Sequence, residues 1–371
     1  MKANFFLRLF FCCLIFLFAD KGFAQKIPSQ KYQSLLWEIS GNGLKHPSYL
    51  FGTMHVSSKM VFHLADSFYY ALKNVDAVAI EINPAIWQKE MVNLDRLQHN
   101  YKNFIQATPN DYLNEKSFQL ENYEDKLRDA LQSEPTVVNN LLYRSYKSKE
   151  DFEEDTFLDL YIYQTAKKLG KITTGVEDYF STEKMVLEAY ADMAKEKKKG
   201  NAATNESPYE IEKKVEDAYR RGNLDLLDSL ENILEGSKAF REKFLLKRNE
   251  IQANSIDTIL KKNSLFVGVG AAHLPGDRGV IELLREKGYR LRPVKLENKN
   301  AFQQNTIDKQ KVPVNFYPYR NPDGAYTVSV PGTLYKMSTD VSGLDRSQYA
   351  DMSNGTYYII TRVQTYSAFG G

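Results

Sequence analysis

The sequence predicts an α/β protein, with a mixed or parallel sheet core covered by long helices and a β-rich C-terminal tail. Three observations carry this reading. The run Ala77-Val78-Ala79-Ile80-Glu81-Ile82-Asn83-Pro84 is compact, apolar and closed by proline, as in an inner strand buried on both faces of a parallel sheet. Long helical patterns, charged along one side, fill about 85–170 and 181–262. Leu265–His273 is an apolar run, Asp277–Lys287 an amphipathic helix stopped by Gly288, and Tyr289–Val294 a further strand. That order is a βαβ-type unit, whose default is a right-handed parallel crossover.

The chain opens with a basic start, Met1 to Arg8, runs apolar from Leu9 to Ala19, and reaches Gly22-Phe23-Ala24 ahead of Gln25. A charged start, a short apolar stretch and a small-x-Ala exit predict a secretory signal peptide over 1–24, and so an extracytoplasmic (periplasmic or secreted) protein. No later apolar run has the length of a transmembrane span. Both cysteines, Cys12 and Cys13, lie in the apolar stretch, which continues past them, against a lipoprotein reading. The mature chain is thus expected to lack disulfides, thiolate metal sites and cysteine nucleophiles. Without Lys2, Arg8, Lys21 and Asp20, the 49 basic and 47 acidic residues become 46 and 46. A net charge of zero points to no nucleic-acid or anionic-membrane partner.

From 25 to 296 we expect one α/β domain. Leu35–Ser40 and Tyr49–His55, around a Gly/Asn/Pro-bearing loop, read as a hairpin. Asp66 or Ser67 caps a short helix, and Lys171–Glu177 is another strand. Ala194–Asn201, a charge run followed by small and polar residues, reads as a solvated loop. The polar stretch 297–311 reads as a linker. Residues 312–371 form the β-rich tail, which we expect to be the start of a further module of a longer protein.

Two strand ends share the pattern G-x-x-H: Gly52-Thr53-Met54-His55 and Gly270-Ala271-Ala272-His273. A strand ending this way delivers an imidazole at the carboxyl edge of the sheet, where α/β folds bind ligands, and the glycine permits close approach. Two neutral imidazoles with a carboxylate form a common open ligand set for Zn²⁺ and related ions. Glu81 and Glu177, at or near the ends of apolar runs, are the carboxylate candidates, because a charge there is costly to bury without a cation or donor. Singly, each is equally a salt-bridged or capping residue, and a lone strand-end histidine is more often structural. The constellation is what points to a site. His46, His63 and His99 read as surface residues, and Trp37 and Tyr49 as core.

Leu36-Trp37-Glu38-Ile39 followed by Tyr49–His55 resembles the opening of the TraB/GumN family, which includes the TIKI metalloproteases and is related in fold to erythromycin esterase-like and ChaN-like proteins. Asp76–Glu81, Phe157–Tyr161, Gly175-Val176-Glu177, Arg248-Asn249 and Val269–Gly276 match in the same order, so the resemblance covers about 34–296. It implies a metal-dependent hydrolase, a protease in the TIKI branch, acting on a peptide or protein. Carried over, His55, His273 and Glu81 are metal ligands. Glu177, Arg248 and Asp159 match recurrent positions to which the resemblance assigns no role; we expect Glu177 to be a general base or fourth ligand and Arg248 to stabilise the oxyanion. Mn²⁺ or Co²⁺ is favoured by the resemblance, and Zn²⁺ fits the same ligands. The alternatives are a haem- or metal-binding protein of ChaN-like type and a non-catalytic scaffold. The lack of cysteines and the added β-rich tail depart from the animal members.

Overall fold

The computed structural model describes residues 31–54, 64–90, 158–196, 208–235, 237–296, 302–337 and 344–363. The chain divides into two units, Met1–Lys31 and Tyr32–Gly371, and the description below is of the second. The stretch read as the signal peptide, the solvated loop from 197 on, most of the first long helical pattern, and His55, His63 and His99 lie outside the described residues, while Ala194 and Lys195 close a helix instead of opening the loop.

The expected hairpin is present. Strands β1 (Leu36–Gly41) and β2 (Ser48–Thr53) pair antiparallel, with Leu36 opposite Phe51. Asn42 takes a positive φ of 44° between Gly41 and Gly43, both at 81°, so the turn falls where left-handed backbone is least costly. After helix α1 (Asp66–Lys73), strand β3 (Ala77–Ile80) is wholly buried, as its uniform apolarity requires. Helix α2 (Leu158–Lys168) leads into strand β4 (Ile172–Gly175). Helices α3 (Tyr179–Lys195), α4 (Pro208–Arg220) and α5 (Leu224–Glu235) follow. Helices α6 (Lys238–Arg241) and α7 (Lys247–Leu260) are joined by a π-helical turn, Glu242–Leu246. Strand β5 (Leu265–Gly270) ends in a 3₁₀ turn, Ala271–His273, and helix α8 (Val280–Glu286) precedes strand β6 (Tyr289–Val294).

These strands form a six-stranded sheet of order β4-β3-β5-β2-β1-β6. Strands β4, β3, β5 and β2 are mutually parallel, and β1 is antiparallel to both β2 and β6. The sheet is therefore mixed. Strand β6 runs in the direction of β5, as the βαβ reading expects, but lies beyond β2 and β1 rather than beside β5. Phe51, Phe68 and Phe266 knit the sheet to α1, with ring centroids 5.0 and 5.3 Å apart around Phe68. Trp37 and Tyr49 are buried in the same core. No helix among the described residues is long and apolar enough to cross a membrane.

Within the stretch read as a linker, helix α9 (Phe302–Asp308) is docked by the buried Ile307 and by Asp308 Oδ1, which accepts from Tyr161 Oη at 3.0 Å. The tail holds a hairpin, β7 (Tyr317–Arg320) with β8 (Thr327–Val330), and a three-stranded antiparallel sheet of β9 (Tyr335–Met337), β10 (Leu344–Asp351) and β11 (Thr356–Val363). Gln88, buried in a helical run over 84–90, donates to Gln348 O at 3.3 Å and accepts from Ala350 N at 2.9 Å. Ala350 and Met352 extend the apolar core.

Candidate metal centre

The parallel strands end on one edge, and the candidate residues cluster there. Glu81 directly follows β3, Glu177 lies two residues past β4, and His273 closes the 3₁₀ turn after β5. Strands β2 and β5 are neighbours in register, Thr53 opposite Gly270, so the two G-x-x-H strands emerge side by side. His55 itself lies outside the described residues.

The glycines of the two motifs act by leaving room. A Cβ on Gly52 would come within 3.2 Å of the Ala271 backbone and side chain and 3.3 Å of Leu274. The turn carrying the second histidine thus packs over the end of the first motif's strand. A Cβ on Gly270 would stand 3.1 Å from Glu81 Oε1 and 3.3 Å from His273 Cδ2. The backbone at Gly270 is ordinary, φ −50° and ψ 134°, so space rather than conformation requires the glycine.

His273 is buried, and its Nδ1 lies 2.6 Å from Asn249 Oδ1. Its Nε2 lies 3.6 Å from Glu81 Oε1, which also accepts from Gly270 N–H at 2.7 Å. Glu81 Oε2 accepts from Arg248 Nη2 at 2.9 Å. Glu177 is buried and engaged on both oxygens. Oε1 accepts from Gln252 Nε2 at 2.5 Å and Arg248 Nε at 3.2 Å, while Oε2 accepts from Arg248 Nε at 2.9 Å and Thr182 Oγ1 at 2.7 Å. Its backbone N–H donates to Glu81 O at 2.8 Å, which ties the two carboxylate loops together. Arg248 thus lies between two carboxylates, with 7% of its side chain exposed. Burial alone works against the charged guanidinium, but Glu81 and Glu177 outweigh it and hold Arg248 above its ordinary pKa.

Asp159, in the first turn of α2, is buried and accepts from Thr53 Oγ1 at 2.9 Å. Tyr219 Oη donates to Gly52 O at 2.9 Å, and burial, then the nearby Asp159 charge, raises its pKa. The end of β2 is therefore anchored from α2 and α4.

Sequence reasoning missed the contributions of Asn249, Gln252 and Thr182. A signal for the first existed. Asn249, Ala253, Ile256 and Leu260 recur at core-facing helical spacing and are all buried, so Asn249 is a polar residue at an apolar position. Such a residue needs a partner, and His273 is that partner.

Among the described residues, Glu81, Glu177 and His273 each bring a potential ligand atom within 4.8 Å of the others. The pair that suits a divalent ion is His273 Nε2 with Glu81 Oε1. Their 3.6 Å separation is close to the roughly 3.3–3.5 Å between donor atoms sharing a tetrahedral ion with bonds of about 2.0–2.2 Å. Glu177 faces the same volume but is committed to Arg248, Gln252 and Thr182.

Two relatives of known description are similar to this chain in sequence. Metalloprotease TIKI2 of Xenopus tropicalis is 25% identical over 347 residues, an alignment covering 75% of this chain and 62% of the relative. Metalloprotease TIKI2 of Danio rerio is 23% identical over 346 residues, covering 73% and 62% respectively. The chain therefore spans less than two thirds of the length of these relatives. No solved structure matches it. The family model for TraB/PrgY/gumN matches residues 35–293, the span holding the six-stranded sheet to within its last residue and every described candidate residue, so the chain belongs to the TraB/PrgY/gumN family.

Proposed function

We propose that this protein is an exported, metal-dependent hydrolase that cleaves a peptide bond in a peptide or protein substrate. The observation that carries the reading is the pair His273 Nε2 and Glu81 Oε1, 3.6 Å apart at the edge where both G-x-x-H strands end. The metalloprotease relatives support the reaction class, and the basic start, apolar run and small-x-Ala exit support export. His273, Glu81 and, from the motif, His55 would hold the ion. When bound, a divalent ion supplies Lewis acidity and a water nucleophile near neutral pH. Mn²⁺ or Co²⁺ is our choice of ion, and mixed imidazole and carboxylate ligands accept Zn²⁺ as well.

The chain's own groups divide the remaining work. Gly270 N–H and Arg248 fix the two oxygens of Glu81, so its carboxylate meets the ion in one orientation. Glu177, which brings a carboxylate oxygen within 4.8 Å of the ligand atoms of Glu81 and His273, stays our choice of general base or fourth ligand. Its hydrogen bonds from Arg248, Gln252 and Thr182 also hold Arg248 in place. Arg248, our choice of oxyanion stabiliser, also balances the two carboxylates and offsets their mutual repulsion.

The test is metal analysis and peptide hydrolysis by protein prepared without chelator or tag-borne metal. Protein as prepared should carry close to one equivalent of a divalent ion. His273→Ala and Glu81→Gln should lose both ion and activity. Metal-free protein that takes up no Mn²⁺, Co²⁺ or Zn²⁺ would sink the proposal. N-terminal sequencing of the natural product should begin at Gln25, and Met1 would rule out the cleaved signal peptide.

A further inference from the structure

The contact between Asn249 and His273 decides more than the angle of a ring. An amide oxygen only accepts hydrogen bonds and an amide nitrogen only donates them. The Asn249 nitrogen, Nδ2, donates to the Arg278 backbone carbonyl at 2.9 Å, so the amide cannot be turned over without setting two acceptors against each other. Its oxygen therefore faces His273 Nδ1 at 2.6 Å, with the pair buried, Asn249 at 1% exposure and His273 at 5%. An acceptor at that distance demands a proton on Nδ1. In the neutral ring, Nε2 then carries the lone pair, and Nε2 is the atom beside Glu81 Oε1.

We propose that Asn249 is a positioning residue that fixes His273 in its Nδ1–H tautomer, so that Nε2 is the ligating atom of the metal centre. The inference rests on the metal-centre reading for the last step and on the hydrogen bonds alone for the first. The Arg278 end of the relay is itself anchored. The Arg278 guanidinium donates to Glu242 at 2.7 and 2.9 Å and to Glu250 at 2.8 Å. Glu242 begins the π-helical turn and Glu250 lies on α7 beside Asn249. The loop bearing His273 and the helix bearing Asn249 are thus joined twice, once by charges at the surface and once by the buried amide. A backbone carbonyl, an amide and an imidazole in series form the outer support that keeps a ligating histidine in one tautomer and orientation.

The experiment uses the metal-free full-length mature protein and ¹⁵N-edited NMR of its histidines, with the His273 signal identified by its loss in His273→Gln. The expected result, recorded at a pH high enough for the ring to be neutral, is a His273 protonated on Nδ1. Two variants separate the halves of the amide. Asn249→Leu removes acceptor and donor, whereas Asn249→Asp keeps an acceptor for His273 and loses the donor to Arg278. The Nδ1–H signature should persist in Asn249→Asp and give way to a mixture of tautomers in Asn249→Leu. Zn²⁺, titrated against a competing chelator as the probe, should bind Asn249→Leu about 10- to 100-fold more weakly than wild type. Circular dichroism confirms that each variant is folded, and the wild-type spectrum decides the matter should a variant not fold. A neutral wild-type His273 protonated on Nε2 alone, or unchanged tautomer and Zn²⁺ affinity in Asn249→Leu, overturns the inference. Wild-type protein with the Nδ1–H signature but no Zn²⁺ uptake would overturn the metal-centre reading instead and leave the tautomer assignment standing.

Discussion

Arg248 carries an obligation that neither carboxylate beside it can meet alone. Its guanidinium is shared between Glu81 and Glu177, and the side chains of all three are 12% exposed or less. Removing a buried charge from such a set leaves its partners uncompensated, which typically costs about 3–5 kcal/mol. Arg248→Leu is therefore expected to lower unfolding free energy by about that amount, measured by denaturant titration of the metal-free protein. A loss below ~1 kcal/mol would mean that Glu81 and Glu177 find other donors. Gly270→Ala should behave in the opposite way. The added methyl would press on Glu81 Oε1 and His273 from 3.1 and 3.3 Å, asking each to yield slightly. Folding stability should change by less than ~1 kcal/mol, because the backbone there suits any residue. Metal affinity should nonetheless fall about tenfold, since ligand orientation is what the methyl disturbs.

Helix α9 shows how a buried apolar residue helps turn a polar stretch into an element. Among Asn, Gln and Lys residues, Ile307 is buried to 1% exposure, and Asp308 beside it accepts from the buried Tyr161 hydroxyl. Ile307→Ala is expected to cost about 2–5 kcal/mol and to admit protease within 302–308, where the native helix resists. Unchanged stability and cleavage would show that the docking is incidental. The same element marks where sequence reasoning stops. Strands β1 to β6 were legible because apolar runs between turn residues are local signals, and each falls within a few residues of its expected place. The order of the sheet was not legible, because the separation of β6 from β5 is set by the hairpin inserted between them. At the site, Glu81, Glu177 and His273 could be named from strand ends, since the carboxyl edge of a parallel sheet is a known destination. Their hydrogen-bond partners on α7 could not, because which turn of a long helix meets that edge depends on tertiary packing. The π-helical turn before Arg248 shifts that register in a way no periodicity announces.

Across the whole molecule, acidic residues fasten elements to one another, and this fixes the direction in which pH acts. Asp76, at the start of β3, is held below the ordinary carboxylate range chiefly by the Ser264 hydroxyl ahead of β5. Glu242 is lowered first by Arg278, Glu250 first by Lys247 and then Arg278, and Asp192 first by Lys243, so α3, the π-helical turn, α7 and the His273 loop are linked by such pairs. Asp257, lowered first by Lys261, also accepts from Tyr289 and so joins α7 to β6. A carboxylate whose folded pKa lies below its unfolded value stabilises the fold fully above the unfolded pKa, about 4 for Asp and Glu, and ceases to as pH falls through the lower folded value. The contribution of each exposed pair is small and weakened by salt, so the effect is collective. The denaturant midpoint of the metal-free protein should therefore hold steady from about pH 7 to pH 5 and fall below about pH 4. The fall should be shallower at about 1 M salt, where charges more than about 3 Å apart are screened. Asp76→Asn removes one of these groups without touching the metal centre, and should flatten the acid limb slightly while leaving metal uptake at neutral pH unchanged. A midpoint that stays level to pH 3, or rises, would mean that these carboxylates are no more acidic in the folded protein than in the unfolded chain.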